Sequence, residues 1–108
     1  MAKITDIQVE CVRDLVDSIP PGRVATYGDI ACAAGLSSPR IVAWIMRTDS
    51  EDLPWHRVIT ASGRPAPHLA SRQWELLRAE GVIATEGRVP LTGAESVRHD
   101  FATPKPRA

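Results

Sequence analysis

The stretch Thr26-Tyr27-Gly28-Asp29-Ile30-Ala31-Cys32-Ala33-Ala34-Gly35-Leu36-Ser37-Ser38-Pro39-Arg40-Ile41-Val42 decides the fold. Thr26 is an N-cap residue type, because its side-chain oxygen can accept from an N–H that the first helical turn leaves unpaired. It opens a helix over Tyr27 to Ala34, and Gly35 ends that helix, since glycine enters the left-handed conformation without strain. Ser37-Ser38-Pro39 then offers a second cap with proline near the first helical position. A second helix follows from about Pro39 to Thr48, with Ile41, Val42, Ile45 and Met46 as its inner face. Two short helices across a tight Gly-Leu-Ser-Ser turn are the outline of a helix-turn-helix. Many all-α domains contain such a pair, so the outline alone does not point to DNA.

Working outward, Ile7, Cys11 and Leu15, with Val12, Val16 and Ile19, recur at three- and four-residue spacing and predict an amphipathic helix. Thr5 and Gln8 form its capping box, and Pro20-Pro21-Gly22 stops it near Ile19. Cys11 falls on the apolar stripe and reads as a buried small hydrophobe. A short segment Arg23-Val24-Ala25 leads into the central pair. After it, Asp49 to Asp52 is an acidic loop, Pro54 sets an extended entry, and Val58-Ile59 reads as a short strand. Ala61 to His68 is a loop by its Gly63, Pro65 and Pro67. Leu69 to Glu80 returns to helical spacing, with Leu69, Gln73, Trp74 and Leu77 as one stripe and Gly81 as the stop. Arg88-Val89-Pro90-Leu91 reads as an edge strand, where proline is tolerated. Trp44 and Trp74 are both expected to be structural. The expected architecture is a mainly α, winged-helix-like helix-turn-helix domain with one or two short β-strands. It spans residues 1–101 as a single unit, with 102–108 as a flexible tail.

The chain has 108 residues, with 13 Lys+Arg against 13 Asp+Glu, and is 44% hydrophobic. That composition is of a soluble globular domain and excludes disordered and fibrous classes. No apolar run approaches the roughly 20 residues of a membrane span, and no secretory signal is read at the N-terminus. A cytoplasmic protein without membrane contact is expected. Cys11 and Cys32 alone cannot frame a metal site, and His68 and His99 lack partners at ligand spacing, so neither metal nor cofactor is expected. Zero net charge excludes a strongly basic nucleic-acid binder, yet its distribution leaves a mildly basic middle. Between positions 23 and 72 lie Arg23, Arg40, Arg47, Arg57, Arg64 and Arg72, against Asp29, Asp49, Glu51 and Asp52.

Four linked motifs narrow the reading. They are Ile19-Pro20-Pro21-Gly22-Arg23-Val24-Ala25-Thr26-Tyr27-Gly28-Asp29, Pro39-Arg40-Ile41-Val42, Pro54-Trp55-His56-Arg57-Val58-Ile59, and Leu77-Arg78-Ala79-Glu80-Gly81. In order and separation they resemble the DNA-binding domain of the O6-alkylguanine-DNA alkyltransferases over roughly residues 5 to 82. Active members of that family read Pro-Cys-His-Arg, and the cysteine thiolate accepts the alkyl group. Here Trp55 stands in that place, and an indole offers an N–H donor but no nucleophile. The chain therefore resembles the alkyltransferase-like branch. That resemblance implies a non-enzymatic sensor, with no catalytic residue, that flips O6-alkylguanine out of duplex DNA. It also implies hand-over of the lesion to nucleotide-excision repair proteins, and the chain is expected to be a monomer.

The resemblance assigns roles residue by residue. Arg40 would fill the space left by the flipped nucleotide, for which a flat, donor-rich guanidinium is suited. Tyr27, Trp55 and Pro54 would line the pocket for the flipped nucleotide. Thr26, Gly28, Arg57 and Arg72 would hold phosphates or support the site, Arg72 by reaching the lid or a phosphate. His56 and Glu80 match the pair that activates the thiolate in the enzymes, and without a thiol they would serve as a structural pair. Ala43 replaces a family glycine, the loop from Met46 to Pro54 is shorter, and Arg64-Pro65-Ala66-Pro67-His68 replaces a glycine-rich lid. Two other readings stand beside the sensor: a sequence-specific helix-turn-helix regulator, and an alkyltransferase whose nucleophile has moved to Cys32 or Cys11.

Overall fold

The structure, a computed structural model, describes residues 4–101. The reading of 102–108 as a tail lies outside the described residues. Thr5 opens α1 (Asp6–Asp17) with a reciprocal capping box: its hydroxyl accepts from Gln8 N–H at 3.1 Å, and the Gln8 side chain accepts from Thr5 N–H at 2.9 Å. Val12 and Val16 are buried, and Ile19 joins them just past the helix end. The neighbouring line Ile7-Cys11-Leu15 is not: Ile7 is 81% exposed and Cys11 is half-buried. The expectation of a buried Cys11 is corrected accordingly. Two adjacent apolar lines cannot both face the same layer, and the valine line wins the contact with the helices below.

A two-residue strand, β1 (Ala25–Thr26), runs directly into α2 (Tyr27–Ala34). Thr26 and Asp29 form a second capping box, with Asp29 N–H donating to the threonine hydroxyl at 3.0 Å and Thr26 N–H donating to the carboxylate at 3.1 Å. Gly35 ends α2 at φ 70°, and the next N–H, of Leu36, reaches back to Ala31 O at 2.8 Å. Ser38 caps α3 (Pro39–Thr48) by accepting from Arg40 N–H at 3.1 Å. Val42, Ile45 and Met46 of α3 pack with Ile30 and Ala31 of α2 and with the α1 valines into one core. The helix-turn-helix is thus fixed on its inner side by apolar burial, which leaves the opposite side of α3 open.

The strand β2 (Val58–Ile59) pairs with β1 in parallel, Ala25 beside Val58 and Thr26 beside Ile59. Behind it a second core gathers Val24, Ile59, Leu77, Val82 and Val89. Leu77 comes from α4 (Ala70–Ala79), which a 3-10 turn over Pro67–Leu69 precedes. Gln73 of α4 is buried, and its amide donates to the carbonyls of His56 at 2.9 Å and Val58 at 2.7 Å. This staple satisfies carbonyls at the outer edge of β2 that would otherwise be costly to bury.

The segment Arg88–Leu91 does not form the expected edge strand. It makes one isolated antiparallel bridge, Thr85 with Arg88, then Val89 N–H donates to Gly63 O at 2.8 Å. Pro90 has no N–H to continue a ladder. Gly63 is required at that crossing: its φ is +79°, and a Cβ there would lie 2.7 Å from Val89 O. The strand-like extension forms instead at Val24, which accepts from His99 N–H at 2.7 Å and donates to Val97 O at 2.9 Å.

Candidate nucleic-acid interface

The N-terminal ends of α2 and α3 and the Trp55 turn enclose one side of an open cleft of about 1190 Å³. Tyr27 and Gly28 come from the first turn of α2, Arg40 and Arg47 from α3, and Trp55 from the 3-10 turn Trp55–Arg57. Ala66, His68 and Leu69, from the segment expected to act as a lid, line it as well. The helix-turn-helix therefore does not merely flank the cleft. It supplies the cleft's basic lip.

Each wall residue is placed by an identifiable local device. The Ser38 cap orients the first turn of α3, so the exposed Arg40 projects from a helix start fixed to the scaffold. Tyr27 is half-buried against the main core, and burial raises its pKa, which keeps the phenol a neutral donor at physiological pH. Trp55 packs on the same core, and His56 meets its ring edge-on at 6.2 Å and 89°. Pro54 sits at the start of the Trp55 turn and helps set its direction, but the cleft lining passes from Asp52 to Trp55 without it. Gly28 is exposed at the cleft wall, whereas Thr26 is buried and occupied with its cap.

Behind the wall, Glu80 collects three partners. Its carboxylate accepts from Arg57 (2.6 Å at the shortest), from His56 Nε2 at 2.8 Å, and from Gly22 N–H at 3.2 Å. The third Arg57 nitrogen, Nη1, donates to Ile19 O at 2.8 Å. Burial opposes ionisation of Glu80, but the bonds from Arg57 and His56 outweigh it and bring the pKa from 4.5 to about 2. The ionised carboxylate only accepts, so the hydrogen in this contact sits on His56 Nε2. Arg57 is thereby committed to support, and its side chain is only 15% exposed. Arg72 pairs with Glu75 at 3.1 Å on the outer side of α4 and is absent from the cleft lining. A salt bridge that exposed holds the side chain only weakly.

Sequence reasoning missed the acidic rim. Asp49, Glu51 and Asp52 all line the cleft, and Arg13 of α1 clamps two of them, at 3.1 Å to Asp49 and 2.5 Å to Asp52. The Arg13 hydrogen bond lowers the Asp52 pKa. Arg13 also donates to Asp49 O at 2.8 Å, which fixes the loop that follows α3. A second long-range pair, Arg98 with Asp29 at 2.5 Å, anchors the start of α2. Burial opposes Asp29 ionisation, and the Arg98 bond reverses the balance, so its pKa is lowered. No local pattern signals either arginine. Trp44 is the other miss: it is 48% exposed on α3, and the expectation of a structural indole is corrected.

A helix-turn-helix whose second helix carries an exposed arginine beside an aromatic-walled cleft has the outline of a DNA-binding domain. The chain belongs to the family described as 6-O-methylguanine DNA methyltransferase, DNA binding domain, which residues 8–82 match. It is 39% identical over 89 residues to the DNA base-flipping protein of Escherichia coli, covering 74% of this chain and 67% of that protein. It is 40% identical over 78 residues to alkyltransferase-like protein 1 of Schizosaccharomyces pombe, covering 66% and 72%. In structure it is similar to S. pombe Atl1 in complex with damaged DNA containing O6-carboxymethylguanine. The TM-score is 0.73, with 32% identity, 81% of this chain and 92% of that chain covered.

Proposed function

We propose that this chain senses O6-alkylguanine in duplex DNA: it turns the nucleotide into the cleft, replaces it with Arg40, and leaves the alkyl group in place. The carrying observation is that Trp55, which the motif resemblance sets in the place of the acceptor cysteine, lines the same cleft as Arg40. An alkylated base can stack on or against the indole, and such contacts contribute ~1–3 kcal/mol by truncation. Tyr27, as a neutral phenol beside Gly28, reaches the rotated nucleotide or its phosphate. His56 and Glu80 hold the turn that presents Trp55 instead of activating a nucleophile. Pro54 and Arg57 support the same turn.

The relatives named for base flipping and for alkyltransferase likeness support this reading, as does the resemblance to a protein held on damaged DNA. Neither Cys11 nor Cys32 lines the cleft: Cys11 is half-buried on α1, and Cys32 is exposed on α2. A relocated nucleophile thus has no access to a base lodged between Tyr27 and Trp55. With the alkyl group retained, the bound complex itself is the signal, and nucleotide-excision repair proteins are its proposed readers.

The transfer step is tested by incubating the protein with duplex carrying radiolabelled O6-methylguanine. All label is expected to stay in the DNA, for the wild type and for Cys32→Ala alike. Label recovered on the protein and lost in Cys32→Ala would establish an enzyme in place of a sensor.

A further inference from the structure

Arg13 belongs to α1 and lines no part of the cleft, yet both of its terminal nitrogens are spent on the cleft's acidic rim. Nη1 donates to Asp49 O at 2.8 Å, to Asp49 Oδ1 at 3.1 Å and to Asp52 Oδ1 at 3.0 Å. Nη2 donates to Asp52 Oδ2 at 2.5 Å, which completes a two-pronged hold on that carboxylate. The Arg13 side chain is 19% exposed, against 56% for Asp49 and 65% for Asp52, so the cation sits behind the acids it holds. Glu10, 3.9 Å away, is its other acidic neighbour among the described residues and does not line the cleft.

The rim has reason to need that partner. Asp49 caps the C-terminal end of α3, where the helix dipole already presents partial negative charge. Asp49, Glu51 and Asp52 share the cleft lining with two arginines, Arg40 and Arg47. A phosphate backbone drawn in by the arginines therefore meets a larger number of carboxylates. We infer that Arg13 is a positioning residue for DNA binding: without touching the DNA, it holds Asp49 and Asp52 on its own fork and offsets their charge, so that a backbone can enter beside Arg40. Its effect reaches the DNA through the two aspartates alone. It rests on the reading of this cleft as the DNA site, and adds to it that the second helix of the helix-turn-helix works only with a cation supplied by α1.

Three proteins decide the matter: the wild type, Arg13→Gln, and Arg13→Gln combined with Asp49→Asn and Asp52→Asn. Glutamine keeps an N–H donor toward Asp49 O but carries no charge, and the two asparagines then remove the acids that Arg13 had offset. At about 50 mM salt Arg13→Gln is expected to bind duplex about fivefold more weakly than the wild type, and at about 300 mM to come within about twofold of it, because salt screens the bared carboxylates. The combined variant should bind at least as tightly as the wild type at the lower salt. A residue that only fastened α1 to the loop would give a loss that persists at high salt and that the asparagines do not reverse, and that result would overturn the inference. Unchanged affinity of Arg13→Gln at low salt would do the same. The salt comparison needs Arg13→Gln alone, so it stands even where the combined variant does not fold. Backbone charge is common to all duplexes, so the loss is expected in equal measure for guanine and O6-methylguanine. The sensing claim is read instead from the ratio of those two affinities in the wild type, and either can fail without the other.

Discussion

Replacing Arg40 with alanine is expected to weaken binding to duplex containing O6-methylguanine by roughly ten- to hundredfold, ~1.5–3 kcal/mol. The side chain is exposed at the first turn of α3 and makes no ion pair among the described residues, so the fold does not depend on it. A cation in the first turn also opposes the helix dipole, a small standing penalty that function would explain. Extruding a nucleotide unstacks its neighbours, and alanine leaves that gap unfilled, so the flipped state loses stability. Melting temperature should stay near wild type, which separates the effect from misfolding. Affinity unchanged in Arg40→Ala would remove base replacement by this arginine from the account.

Glu80→Gln is expected to lower stability by ~2–4 kcal/mol, below the full range for breaking a buried pair because the site keeps a little solvent. For a domain of this size that corresponds to a drop in melting temperature of roughly 10–20 °C. The amide keeps the shape but leaves Arg57 without its counter-charge, and the tie between Gly22, His56 and the end of α4 loosens. The pH dependence follows from the lowered pKa of Glu80. The stabilisation is complete above the ordinary value of 4.5 and is lost as pH falls toward about 2, because over that range the unfolded chain takes up a proton that the folded carboxylate does not. Glu80→Gln should therefore flatten the melting-temperature profile between those pH values. An unchanged melting temperature and an unchanged acid limb would show that the network carries no stability.

How far the sequence alone reaches can be judged from particular elements. The Thr5–Gln8 box, the Thr26 cap, Gly35 and Ser38-Pro39 place the helix starts and stops, since each acts within a few residues. His56 and Glu80 lie 24 positions apart, yet motif order was enough to pair them, and the structure brings them to 2.8 Å. Contacts without a local signature were not legible. Arg13 clamps a loop 36 to 39 residues away, and Arg98 reaches Asp29 across 69. Val89 meets Gly63 instead of extending a strand, and residues 97–99 run beside Val24 with no alternating pattern to announce it. Helical spacing identified the faces of α1 and α3 but not which apolar line wins the core. That is why Ile7, read on the apolar stripe of α1, stands outside.

The even charge balance also has a physical reading. A few arginines on one helix, with acids close by, give limited general attraction to DNA, so undamaged duplex competes weakly for the cleft. Selectivity must then come from the extruded base and its contacts with Trp55 and Tyr27. The most direct measurement is the pair of dissociation constants, at one salt concentration, for duplexes identical except for guanine or O6-methylguanine at a single position. Binding about ten- to hundredfold tighter to the alkylated duplex is expected from stacking on the cleft wall. Equal affinity for the two duplexes would contradict damage sensing by this protein.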